Sequence, residues 1–174
     1  PGMKKTNQLF DQIAIVIDTR EQDPYSFSVS TLPGTLQTGD YSVLGFEDRV
    51  AVERKSIDDF VTSTIQGRER FERELQRSRG LDYFALVVEA DLADVAAGNY
   101  RSRATTQSVI QSVVALSVRH RVPVWLAGSR EFGQRLTESL LVKYARDICQ
   151  RFDLLSRGAE SQNAPLLQNA TKRG

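Results

Sequence analysis

The feature that most constrains this sequence is an alternation. Apolar runs of strand length are separated by segments of helical periodicity, an order that suits an α/β fold. Ile13 to Ile17 is a short β-branched run that ends in Asp18. Asp40 to Leu44 and Arg49 to Lys55 bracket Gly45-Phe46-Glu47-Asp48 and read as a hairpin, while Tyr83 to Glu89 and Val122 to Leu126 have the length of buried strands. Helices are expected over 56–66, 68–79, 105–121 and 131–150. Val109, Ile110, Val113, Val114 and Val118 are expected to face inward from the third, and Phe132, Leu136, Leu140, Leu141, Tyr144 and Ile148 from the fourth. Trp125, Phe132 and Cys149 read as packing residues, and His120 as a cation at a helix C-terminus. The expected fold class is α/β with a mixed central sheet flanked by helices.

The 174 residues, 40% apolar and 26% charged, suit one domain with a buried core. Its expected extent is 11–153. Residues 1–10 read as an N-terminal tail in which Pro1-Gly2 precede the expected start at Met3, and 154–174, rich in Ser, Asn, Gln and Gly, as a mobile C-terminal tail. No apolar run approaches the ~18 residues of a membrane span, and the N-terminus lacks the apolar core of a secretion signal. The protein is therefore expected inside the cell, in cytoplasm or nucleoid, or in the nucleus if eukaryotic. A single cysteine and a single histidine exclude a disulfide framework, a cysteine zinc site and most histidine chemistry. Carboxylates, lysine and arginine must do any catalytic work. The net charge of +1 names no partner by itself, although 18 of the 23 basic residues are Arg, whose planar fork suits phosphate.

The chemistry concentrates in Gly39-Asp40, twelve further residues, and Glu53-Arg54-Lys55. Strand alternation puts Glu53 and Lys55 on one face and Arg54 on the other, and a hairpin register can bring Asp40 beside them. Two carboxylates and a lysine suit metal-assisted phosphodiester hydrolysis. Asp40 and Glu53 would hold Mg²⁺ or Mn²⁺, and Lys55 would orient or deprotonate water and oppose the growing negative charge.

The surroundings of this trio resemble the XPF-like structure-specific endonucleases, whose nuclease domain carries GD followed by ERK-x-x-x-D. Here these motifs read Gly39-Asp40 and Glu53-Arg54-Lys55-Ser56-Ile57-Asp58-Asp59, and the family's earlier D-x-R-E element reads Asp18-Thr19-Arg20-Glu21. The resemblance runs from about Ile13 to about Ile148. It implies a restriction-endonuclease-like core that cuts branched DNA in repair or recombination with Mg²⁺ or Mn²⁺, commonly as a dimer. It also implies that Asp18, Asp40, Glu53, Arg54, Lys55 and Asp59 form the active site, with Arg20 and Glu21 in support. Asp59 has a second reading, because Ser56-Ile57-Asp58-Asp59 has the form of a helix capping box. The helix-hairpin-helix modules common in the family have no counterpart after Ser156.

Arg70, Arg73 and Arg77 fall on one side of the 68–79 helix, opposite Phe71 and Leu75, and with Arg68 and Arg20 they are the candidate DNA contacts. Intrahelical pairing of Glu69 with Arg73 and of Arg70 with Glu74 is the alternative. Two other functional classes compete. A catalytically silent DNA-binding or scaffold partner would have lost its acids, and a nucleotide-binding domain would carry a glycine-rich phosphate loop, which this chain lacks. The broad apolar faces of the last two helices lead us to expect a homodimer.

Overall fold

The computed structural model describes residues 12–170, with side chains from 12 to 158. The expected tail over 1–10 and the end of the expected C-terminal tail lie outside the described residues. Six strands form one mixed sheet in the order β2-β1-β3-β4-β5-β6. They are β1 (Ala14–Asp18), β2 (Ser30–Gly34), β3 (Tyr41–Val43), β4 (Val50–Ser56), β5 (Tyr83–Glu89) and β6 (Val124–Leu126). The central hairpin is antiparallel, with Tyr41 opposite Val52, whereas β4, β5 and β6 run parallel because helices carry the chain back between them. Strand β2 was not anticipated. Its segment Ser30-Thr31-Leu32-Pro33-Gly34 is polar and contains a proline, which only an edge strand tolerates, and β2 is an edge.

After β4 the chain forms α1 (Ile57–Val61), a π-helical turn (Thr62–Gln66) and α2 (Arg68–Ser78). Helices α3 (Leu92–Ala97), α4 (Thr106–Arg119) and α5 (Arg130–Ala170) follow. Helix α3 also lies outside the helices expected from periodicity, although its signals are present: Asp91 and Asp94 form a capping box and Gly98 ends the helix at a φ of 69°. Helix α5 begins under Ser129, whose hydroxyl accepts from Phe132 N, and it continues through Ser156 where composition suggested a tail. Arg157 pairs with Asp153 one turn earlier at 3.0 Å within that stretch.

Two cores sandwich the sheet. Ala51, Phe84, Leu86 and Val88 pack under Phe60, Phe71, Leu75, Val109 and Leu116 of α1, α2 and α4. On the other side Val50, Val52 and Val87 pack under Tyr25, Leu141 and Ala145. Successive residues of β4 therefore enter opposite cores. The inward stripe of α4 is narrower than expected, because β6 is only three residues long and covers little. Val109 and Leu116 are buried, whereas Val114 and Val118 are 45% and 73% exposed and Ile110 is exposed as well. Trp125 and Phe132 also reach solvent, at 41% and 60%. No helix among the described residues is long and apolar enough to cross a membrane.

Asp18, at the end of β1, organises the loops above it. Its carboxylate accepts from Arg20 Nε at 2.7 Å, Arg20 Nη2 at 3.0 Å, Arg20 N at 2.9 Å and Leu36 N at 2.7 Å. The Arg20 side chain, aided by the backbone donors, pulls the carboxyl down to about 2 against the burial that opposes it. A depressed carboxyl stabilises the fold above its ordinary pKa and loses that contribution as pH falls towards the folded value.

Two outcomes follow from the fold. Urea titrations should show the wild-type protein losing about 1–2 kcal/mol between pH 4 and pH 2 that Asp18→Asn does not lose, a figure discounted for the solvent around the 69% exposed Arg20. Arg121 is the only non-glycine residue with positive φ among those described, at 57°, in the turn between α4 and β6. Arg121→Gly should raise stability by roughly 0.5–1 kcal/mol in thermal unfolding, since glycine adopts this conformation without a Cβ clash.

Candidate active site

Asp40 sits where three strands meet. Its N–H donates to Val52 O at 2.9 Å, its carbonyl accepts from Asp18 N at 2.8 Å, and its Oδ2 accepts from Arg54 N at 2.7 Å. The main chain of β1 and β4 thus grips Asp40 from both sides. Gly39 permits this approach: its φ is 83°, and a Cβ there would lie 2.9 Å from that of Ala51. The GD pair thus has a backbone reason for its glycine.

Opposite Asp40, β4 divides its charged residues between the two faces. Glu53 and Lys55 follow Ala51 toward the α2 side, with Lys55 Nζ 2.9 Å from Glu53 Oε1 and 5.2 Å from the centre of the Phe71 ring. Burial pushes the Glu53 carboxyl up to about 8, and the charge of Asp40 adds to the push while Lys55 resists it. Asp40 is raised to about 6, again by burial first, with Glu21 and Glu74 adding to it. Burial pulls Lys55 down, but Glu53, Glu74 and Asp40 outweigh it and the ammonium is held above its usual pKa. One lysine therefore faces two crowded acids, which also feel the Arg20 guanidinium that is bound to Asp18, and a hard cation would relieve the crowding. Among the described residues no three His, Cys, Asp or Glu side chains gather into a metal cage. Mg²⁺ and similar ions need fewer protein ligands, because they keep several waters and share their shell with substrate phosphates. Asp40 and Glu53 are oxygen donors of that kind.

Arg54 turns to the other face. Its Nε donates to Glu89 Oε1 at 2.8 Å and its Nη2 to Glu89 Oε2 at 3.2 Å, and the guanidinium lies 3.6 Å from both Glu21 and Asp23. Tyr25 Oη donates to the same Glu89 at 2.9 Å. The Tyr25 ring stands 5.5 Å from the Arg54 guanidinium and 5.1 Å from that of Arg130, which itself pairs with Asp23 at 3.0 Å. Burial raises Glu89, but the hydrogen bonds from Arg54 and Tyr25 more than reverse that and hold it ionised. A Cβ on Gly133 would collide with Tyr25 Oη, so the first turn of α5 also shapes this cluster. Glu89, Tyr25 and Arg130 were not anticipated from the sequence. The available signal was the acid at the end of an apolar parallel strand, the position that Asp18 holds on β1.

The remaining expected site residues are more dispersed. Asp59 Oδ2 accepts from the Ser56 hydroxyl at 2.6 Å and Ser56 Oγ accepts from Asp59 N at 3.1 Å, so Asp59 takes part in the cap of α1. On α2, Phe71 and Leu75 face the core, and Glu74 lies on the flank whose charge acts on Glu53, Asp40 and Lys55. Helical spacing puts Arg70, four residues earlier, and Arg77, three later, near that flank, while Arg73 points away from the core. Arg68 lies on the other flank, pairs with Glu72 at 3.0 Å and borders a groove against α4. It is therefore separated from the arginines with which the sequence grouped it, because helical rotation carries it past the core-facing stripe. The alternative pairs Glu69–Arg73 and Arg70–Glu74 are not formed, and Arg70, Arg73 and Arg77 make no ion pair among the described residues.

Comparison with known proteins bears on the fold and the family. No curated protein matches the chain. Among solved structures, XPF from Aeropyrum pernix aligns with a TM-score of 0.59 and 25% identity over 73% of this chain and 64% of its own. XPF from Aeropyrum pernix in complex with DNA aligns with a TM-score of 0.58 and 21% identity over 80% of this chain and 66% of its own. The chain thus spans somewhat less than two thirds of the length of those structures. A family model, the ERCC4 domain, matches residues 17–140, which take in the Asp18 loops, the Asp40–Glu53–Lys55 cluster and the Arg54–Glu89 cluster; the protein belongs to the ERCC4 domain family.

Proposed function

We propose that the chain is a metal-dependent endonuclease that hydrolyses phosphodiester bonds in branched DNA, such as flaps, forks or junctions, during repair or recombination. The observation that carries this reading is the confrontation of Asp40 and Glu53 across the β3–β4 end with Lys55 as their only close lysine partner among the described residues. Asp40 and Glu53 would hold Mg²⁺ or Mn²⁺, which supplies an activated water and charge neutralisation at the scissile phosphate. Lys55 enters as a cation. The surrounding acids hold its ammonium above the usual lysine pKa, which favours orienting water or opposing phosphate charge over deprotonating the water. Arg54 commits its guanidinium to Glu89 and acts as a positioning residue, while its N–H fixes the Asp40 carboxylate. Asp18 and Arg20 shape the loop beside the acids, and Arg70 and Arg77 would meet phosphates.

The test is a nicking assay on flap, fork, splayed-arm and linear duplex DNA. Wild-type protein should cut with Mg²⁺ or Mn²⁺ and stop with EDTA, and Asp40→Asn and Glu53→Gln should abolish cleavage with unchanged unfolding curves. Lys55→Ala should lower kcat by roughly 100-fold or more and leave DNA affinity nearly intact. Near wild-type turnover in either acid variant removes that residue from the metal site. DNA binding by the wild type without cleavage under any metal favours a silent scaffold.

A homodimer belongs to the same proposal. The stripe of Ile110, Val114 and Val118, exposed at four-residue spacing on α4, is apolar surface that a second copy would cover. Sedimentation at tens of micromolar should give about twice the mass of one chain; a monomer near 19.5 kDa overturns the dimer.

A further inference from the structure

The loop between α3 and α4, residues 99–105, carries Arg101 and Arg103 and no acidic residue. It is a built loop. Tyr100 packs against the α-side core and its hydroxyl donates to Ala104 O at 3.1 Å, closing the loop on itself, while Ala104 N donates to Ser102 Oγ at 3.1 Å. Its outer edge is tied to a distant part of the chain: Arg101 N donates to Asp58 Oδ1 at 2.7 Å, and Arg101 Nε lies 3.5 Å from Asp58 Oδ2. Asp58 is in the first turn of α1, three residues beyond Lys55.

Topology puts this loop on the same end of the sheet as the acids. Strands β4 and β5 run parallel with Ser56 opposite Glu89, so both deliver their charged residues to one end of the sheet. The chain leaves β5 at that end through α3 and the loop, and α4 then returns to the far end before β6 runs back parallel to β5. The Arg101 side chain remains 94% exposed despite its contact with Asp58. Arg103 is exposed and has no hydrogen-bond or ionic partner among the described residues. Exposed cations on an ordered loop lose less conformational entropy on meeting a phosphate than cations on a free one.

We infer that the 99–105 loop is a second contact for the DNA backbone, in which Arg101 and Arg103 bind phosphates beside the scissile site and Asp58 holds the loop to the helix that follows Lys55. This rests on the reading of the chain as a DNA nuclease. About three strand spacings, roughly 14 Å, separate β1 from β5, so a strand running from the Arg20 side to this loop crosses the Asp40–Glu53 pair on its way.

The experiment is fluorescence anisotropy of a labelled forked duplex at several salt concentrations in EDTA, together with the nicking assay in Mg²⁺. The Arg101→Gln/Arg103→Gln double variant should weaken binding by about tenfold or more and flatten the dependence of log K on log[salt] by about 0.7–0.9 for each phosphate that is no longer neutralised. Arg119→Gln, at the opposite end of α4, should change neither. Asp58→Ala frees the loop and keeps both arginines, so its affinity should fall severalfold at an unchanged salt slope. Wild-type binding and cleavage combined with an unchanged slope in the double variant overturns this inference alone. Absence of DNA binding by the wild type overturns it together with the nuclease reading.

Discussion

The whole site hangs on the backbone hydrogen bonds around Asp40. One residue joins the end of β1 to the middle of β4 through its own N–H and carbonyl, and its carboxylate is fixed by the N–H of Arg54. Removing any one of these would leave a buried amide or carbonyl unpaired, at a cost of about 1–3 kcal/mol. The arrangement requires Gly39 beneath Ala51, since no side chain fits between the strands there. The position of Asp40 is thus set by main chain, the least adaptable part of the protein.

The two faces of β4 solve the burial of charge in opposite ways. On the Arg54 side, guanidiniums from Arg54 and Arg130 meet Glu21, Asp23 and Glu89 around Tyr25, and opposite charges compensate one another. Such a cluster loses hydration and replaces it with direct ion pairs. On the Lys55 side, Asp40, Glu53 and Glu74 share one ammonium, and both acids of the proposed metal site are forced towards their neutral forms. Such an imbalance is common where a cation or a phosphate completes the charge. The compensated face ties β4 to β5 and the last helix, and the other face holds the acids of the proposed metal site.

Arginine position, more than arginine number, decides what basic residues can do here. Helix α2 sends Arg68 to one flank and Arg70 and Arg77 to the other, and only the second flank shares its side with Glu74 and the acids. The loop tied to Asp58 adds basic groups at the same end of the sheet from a segment more than forty residues away.

Much of this was legible from local sequence. Period-two alternation along Val50 to Lys55 separated Arg54 from Glu53 and Lys55, and the structure sends them to opposite faces as that pattern requires. The Ser56–Asp59 cap, the hairpin and the mixed sheet are also local or nearly local consequences of residue order. Other features have no local signature. Strand β2 exists because β1 offers it an edge, and Glu89, Tyr25 and Arg130 become one cluster only when β5, a loop and α5 converge. The exposure of Val118 and Phe132 likewise depends on how little sheet lies beneath their helices. The sequence by itself determined which side of each element is apolar and which acids share a strand face, because those follow from the fixed periods of helix and strand. Tertiary structure alone decided which acids are neutralised and which are left facing one another, because burial and ion pairing depend on residues that are distant in the chain.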